Sequence, residues 1–187
     1  NNIGGVYLDP YARTGKNGGA WMDEVRSRSN NGQVTPVALM VTNFTPPAAG
    51  QVATLTHDDI ITLFHETGHA LHHLLTQVDD PEVAGIRGVE WDAVELPSQF
   101  MENFCWDFDN LTRMSAHNQT GESLPRALFD KMLAAKNFQS GLQMLRQVEF
   151  SLYDVVLHAT FNDANGAAIN QVLQDIRDEI AVMQPPE

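Results

Sequence analysis

The sequence predicts a mainly α-helical protein with a few short β-strands near its N-terminus. Three observations along its 187 residues carry that expectation. Residues 1–55 are rich in Gly, Asn, Thr and Pro and hold only short apolar bursts, the pattern of strands between loops. From residue 56 onward apolar residues recur at helical spacing in long runs. The first of those runs also carries four of the seven histidines, at 65, 69, 72 and 73.

Taken in order, the bursts Val6–Leu8, Val37–Val41 and Val52–Leu55 read as strands, with breaks at Gly18-Gly19, Asn31-Gly32 and Pro46-Pro47. Thr56 followed three positions later by Asp59 resembles a capping box, with Asp in place of the usual Glu or Gln. Ile60, Ile61, Leu63, Phe64, Ala70, Leu71, Leu74 and Leu75 then extend a helix to about Gln77. Residues 78–89, with Asp80-Pro81 and two glycines, read as a loop. A helix over about 92–110 follows, and another begins near Pro125, a residue suited to a first turn. Long helical patterns at about 138–161 and 166–183 complete the chain. The division is therefore a strand- and loop-rich part, 1–55, and a helical part, 56–187.

Composition excludes several classes of function. Eleven Lys and Arg against 24 Asp and Glu leave a formal charge of −13, which repels phosphate backbones and argues against nucleic-acid partners. No apolar run approaches the roughly 18 residues of a membrane span, so no membrane partner is expected. The first residues lack the basic start and apolar stretch of a signal peptide, and also an initiator Met, as in a piece of a longer chain. A single cysteine, Cys105, permits no intrachain disulfide and fits a reducing, cytoplasmic setting. Its neighbours Phe104 and Trp106 predict burial as a small hydrophobe rather than a catalytic thiol.

The string His65-Glu66-Thr67-Gly68-His69 is an H-E-x-x-H motif inside the first helix. A helix turns about 100° per residue, so His65 and His69 share a face about 6 Å apart and can reach one zinc ion. Glu66 lies to the side of that pair, poorly placed as a ligand beside them and well placed to take a proton from a water on the metal. Gly68, costly inside a helix by about 1 kcal/mol relative to Ala, implies that something passes close by. A peptidase zinc needs a third protein ligand and one open position. Glu82, Glu90, Asp92, Glu95 and Glu102 are downstream candidates. Glu95 is best placed, in the first turns of the next helix, where Pro97 is also tolerated. It has a second reading: if Asp92 is the N-cap, Glu95 closes a capping box, and spacing alone does not choose.

The motif with its flanks, through His72-His73 and then Trp91-Asp92-Ala93-Val94-Glu95-Leu96-Pro97-Ser98-Gln99-Phe100-Met101-Glu102-Asn103-Phe104, resembles the thimet oligopeptidase family of zinc metallopeptidases. The likeness continues through Tyr7-Leu8-Asp9, Gly18-Gly19-Ala20-Trp21-Met22 and residues 131–137, and covers essentially the whole chain. It implies that Glu95 is the third ligand of one zinc ion per chain, beside His65 and His69, with Glu66 as catalytic base. It implies a zincin-like active-site helix within a larger helical metallopeptidase, of which residues 1–187 form a single partial catalytic domain. The substrates it implies are short peptides, cleaved internally by zinc-dependent hydrolysis. Family members are several times longer, and a loop rich in His, Gly and Tyr follows the point where this sequence stops. Two alternatives stand beside that reading: a peptidyl-dipeptidase of the same family, and a non-catalytic zinc-binding fragment. A set of two His and one Glu favours zinc without excluding cobalt or manganese.

The remaining polar residues read more plainly. His72 and His73 suit hydrogen bonding or packing, because a fourth protein ligand would close the open position. Asp92 and Glu102 are candidates to hydrogen-bond the outer ring nitrogens of the ligating histidines, Asp92 the better of the two. His57, His117 and His158 read as ordinary side chains. Residues 15–19, GKNGG, lack the spacing of a phosphate loop.

Overall fold

The structure is a computed structural model that describes residues 2–161 and 168–183. Its N-terminal part holds three strands, β1 (Gly5–Tyr11), β2 (Trp21–Arg26) and β3 (Val37–Phe44), in the order β1-β3-β2. β3 is central because its sequence, VALMVTNF, is apolar almost throughout, as suits a strand with neighbours on both edges. Ala38, Met40, Thr42 and Phe44 are buried on one face and Val41 on the other. β1 runs parallel to β3, with Gly5 opposite Val37 and Asp9 opposite Val41. β2 runs antiparallel, with Trp21 opposite Val41 and Met22 opposite Met40.

Two strand expectations need correction. Residues 52–55 form no strand; they lead from the turn at Gly50 into a helix cap, and Val52 is largely exposed. β2 was not expected, because Asp23 and Glu24 dilute its apolar signal. As an edge strand with one paired side, it tolerates those charges.

The helix α1 (His57–Leu74) lies against this sheet. Its capping box forms as expected: Asp59 N donates to Thr56 Oγ1 at 3.1 Å and Thr56 N to Asp59 Oδ2 at 2.9 Å. Ala70 packs on Ala38 and Met40, with Met22, Leu63 and Leu74 around them.

The expected helix over 92–110 is broken into pieces. Residues 91–95 are a turn, α2 spans Leu96–Glu102, a 3₁₀ turn spans Asn103–Trp106 and α3 spans Phe108–Met114. Pro97 lacks an amide hydrogen and so belongs in a first turn, which delays the helix start to Leu96. Asp107 starts a new helix, its extended backbone and carboxylate accepting from Asn110 N at 2.9 Å. Asp92 is therefore no N-cap, and Glu95, at the cap position, makes no side-chain capping bond.

Beyond it lie α4 (Arg126–Lys136), α5 (Ser140–Thr160) and α6 (Ala168–Ile180), close to the expected spans; residues 166–167 of the last lie outside those described. The chain divides into two compact units, residues 1–126 and 127–187. Within the second, α5 and α6 pack together around Glu149, whose Oε1 accepts from Arg146 Nη1 at 2.7 Å and Arg177 Nε at 2.9 Å. Among the described residues no helix is long and apolar enough to cross a membrane.

Candidate active site

His65 and His69 stand one turn apart on α1 and aim their Nε2 atoms at the same oxygen. Glu95 Oε2 lies 3.1 Å from His65 Nε2 and 3.1 Å from His69 Nε2. A tetrahedral ion with bonds of about 2 Å holds its ligand atoms about 3.3 Å apart, close to this spacing. The three donor atoms lie within 4.8 Å of one another, and among the described residues they form the only such group of three His, Cys, Asp or Glu side chains. Two imidazoles and one carboxylate so arranged are a donor set that fits a divalent metal.

Local sequence explains the histidine pair, but packing brings Glu95 to it. α2 crosses α1 at Gly68, where any Cβ would overlap the Pro97 carbonyl oxygen and the Ser98 Cα. The bare Cα thus lets the backbone of α2 approach. Ser98 is fully buried there, its hydroxyl 2.8 Å from both the backbone oxygen and Oε2 of Glu95. That hydrogen bond is the main reason the Glu95 carboxyl titrates below its ordinary range. Partial burial opposes it and the two histidines reinforce it.

Glu102 reaches the other side of the pair. Its Oε1 is 2.6 Å from His65 Nδ1. With the ring proton on that nitrogen, Nε2 keeps its lone pair toward Glu95. Asp92, expected as the better partner, makes no such bond among the described residues. The physical reason is the late start of α2: Glu102 follows Glu95 by seven positions, two turns along the same helix face.

Glu66 is the unusual group. It is buried, and among the described residues its Oε2 has no hydrogen-bond partner. Burial raises its pKa, only partly offset by the nearby His65. Burial likewise lowers the pKa of His69 and favours the neutral ring. Glu66, His65, His69 and Glu95 line a cleft of about 310 Å³ whose other walls are Ala20, Trp21, Met22, Ile86, Trp91 and Val94. A larger hollow, about 600 Å³, lies on another side of α1 between Leu71, Leu75, Val83 and Phe100. Its lining is apolar apart from His72 and Thr76, whereas the smaller cleft is lined by two histidines and two glutamates.

His57, His73, His117, His158 and Cys105 have partners of their own. His73 is fully buried, its Nε2 3.0 Å from the Arg26 carbonyl, and ties the end of α1 to the end of β2. His57 packs edge-on against Trp106. His117 Nδ1 accepts from the Gln119 and Thr120 amides, and His158 pairs locally with Asp154. Cys105 is fully buried, which pushes its thiol up to about 11. Sequence reasoning missed Ser98 and the cleft role of Trp21 and Trp91. The one sequence signal for Ser98 was its place three residues after Glu95.

The family model for peptidase family M3 matches residues 1–187. Oligopeptidase A of Salmonella typhimurium is 53% identical over 186 residues, covering 98% of this chain and 27% of that protein. Probable cytosolic oligopeptidase A of Arabidopsis thaliana is 46% identical over 186 residues, 96% of this chain and 26% of its own length. Saccharolysin of Saccharomyces cerevisiae is 33% identical over 186 residues, 98% of this chain and 26% of that protein. The chain thus spans about a quarter of the length of these relatives. With the family's model matched from the first residue to the last, this chain belongs to peptidase family M3.

Proposed function

We propose that this chain is the metal-binding centre of a zinc-dependent metalloendopeptidase that hydrolyses peptide bonds in short oligopeptides. The observation that carries the reading is the shared carboxylate oxygen of Glu95, 3.1 Å from Nε2 of both His65 and His69. On this reading His65, His69 and Glu95 hold one zinc ion per chain. Bound there, zinc supplies Lewis-acid chemistry, acidifying a water and polarising the scissile carbonyl. Glu66 would accept a proton from the attacking water and pass it to the departing amine nitrogen. The burial of Glu66 suits it to both halves of that task, because a raised pKa makes the carboxylate a better base and keeps the acid able to donate. Glu102 holds the His65 tautomer and Ser98 holds the Glu95 carboxylate, so the donor set stays aimed.

Membership of peptidase family M3 supports peptide hydrolysis, and the relatives' names, oligopeptidase A among them, support short peptides as substrates. A cytoplasmic setting is part of the proposal, supported by the single buried cysteine and by the name of one Arabidopsis thaliana relative, probable cytosolic oligopeptidase A. Residues 1–187 would act as one partial catalytic domain of a larger helical, zincin-like peptidase, with the ligand set inside residues 1–126.

A quenched fluorescent peptide tests the mechanism. Glu66→Gln should lower turnover by at least about 10²-fold while zinc stays bound. Turnover at the unaltered rate would sink the base assignment. The quarter-length coverage favours a second reading, a zinc-holding module that cleaves nothing by itself. Tight zinc without hydrolysis in the unaltered chain would select that reading.

A further inference from the structure

Between β1 and β2 a loop, residues 12–20, leads straight into the cleft wall formed by Ala20, Trp21 and Met22. Two side chains hold it. Lys16, its side chain 4% exposed, donates through Nζ to the carbonyl oxygens of Asp9 at 2.9 Å, Tyr11 at 2.9 Å and Thr42 at 2.6 Å. Asn43, near the end of β3, donates through Nδ2 to the carbonyls of Asn17 at 2.8 Å and Gly19 at 2.7 Å. An ammonium has three hydrogens to give and a carboxamide two, so both donor sets are fully used on this one corner of the molecule. The Asn43 amide straddles Gly18, and Gly19 sits at φ +97, a conformation that only glycine holds easily. Neither Lys16 nor Asn43 lines the cleft itself.

We propose that Asn43 is a positioning residue for the peptide: by clamping the Asn17 and Gly19 carbonyls it keeps the Ala20–Met22 wall of the cleft in place before a peptide arrives. Lys16 secures the base of the same loop. The inference rests on the peptidase reading above. A wall that is already ordered does not have to be ordered on binding, so releasing it weakens the peptide's hold and leaves the histidine set untouched.

The test uses this chain with Glu66→Gln to prevent turnover, loaded with zinc, and two further variants, Asn43→Ala and Asn43→Asp. Asn43→Asp keeps the shape but turns an acceptor toward two carbonyls, so a mere space-filling role would survive it. Amide exchange needs no ligand and should quicken at residues 17–21 in both variants, with α1 and β3 unchanged. Binding of a short peptide, read from the fluorescence of Trp21 and Trp91, should weaken about tenfold while zinc affinity stays the same. Unchanged loop exchange, or unchanged peptide affinity with a loosened loop, would overturn the inference and leave the peptidase reading standing. Failure of the protein with Asn43 intact to bind zinc or peptide would overturn the peptidase reading instead.

Discussion

Glu66 and Glu149 are both almost fully buried, 4% and 5% exposed, yet their surroundings move them in opposite directions. Glu149, between α5 and α6, receives two guanidinium groups, and their hydrogen bonds hold its carboxyl below the ordinary range. Glu66, on α1, keeps one oxygen without a partner among the described residues, and burial raises its pKa. A buried charge is normally paired, because the loss of water is otherwise uncompensated. Glu149 follows that rule and fastens a helix pair. Glu66 breaks it beside three side chains able to hold a metal, which suits the proton-exchanging role proposed for it.

The helix contacts around the two carboxylates differ in the same sense. At the α1–α2 crossing a glycine sits mid-helix because backbone presses on it. In the first turn of α5, Gly141 has no described atom beyond its own helix backbone and chain neighbours within 4 Å of where a Cβ would stand. The same substitution should therefore have opposite signs. Gly68→Ala, the largest effect, should push α2 away, cost about 1–3 kcal/mol of stability and strip the proposed zinc site of Glu95. Gly141→Ala should instead stabilise residues 127–187 by about 0.5 kcal/mol. Denaturant titration of both variants with zinc binding measured alongside is the check; equal effects would break the contrast.

A smaller effect is expected from Ser98→Ala. It removes the hydroxyl that aims Glu95 without adding bulk, and zinc affinity should fall about tenfold with the fold intact. Glu102→Gln should cost less than that, because an amide oxygen still accepts from His65 Nδ1. A competition titration against a chromophoric chelator would rank the two. The reverse order would mean that the His65 tautomer matters more than the aim of Glu95.

The smallest prediction concerns pH. Because the folded pKa of Glu149 lies below its unfolded value, its contribution to stability is present above the ordinary carboxylate range. It is lost as pH falls through the lowered folded value. Glu149→Gln should flatten the acid limb of the stability curve of α5 and α6. A limb as steep as before would show that the two arginines do not act through that carboxylate.

How much of this was legible in the sequence follows the range of the forces involved. The capping box at Thr56, the apolar stripe of α1 and the placing of His65 beside His69 are local, and each can be read from neighbours a few residues apart. β2 was hidden because a charged edge strand is recognisable only once its partner β3 is in place. The break in the expected 92–110 helix had visible causes, Pro97 and Asp107, but their effect depends on which turn of the helix each occupies. That misjudged start also led to Asp92 in place of Glu102 as the partner of a histidine. Gly68 advertised a close approach without saying to what. The answer, the carbonyl of Pro97 and the Cα of Ser98, belongs to a contact about 30 residues away and could not be read locally.

In the proposed centre His65, His69 and Glu95 act together on one metal ion. The most direct test is the zinc content of the purified chain after exhaustive dialysis, measured beside Glu95→Ala. About one zinc per unaltered chain is expected, and its loss from the variant, since each protein ligand contributes a full metal bond. Zinc retained equally by both would contradict it by removing Glu95 from the site. Zinc retained by neither would mean that residues 1–187 do not assemble the centre proposed for them.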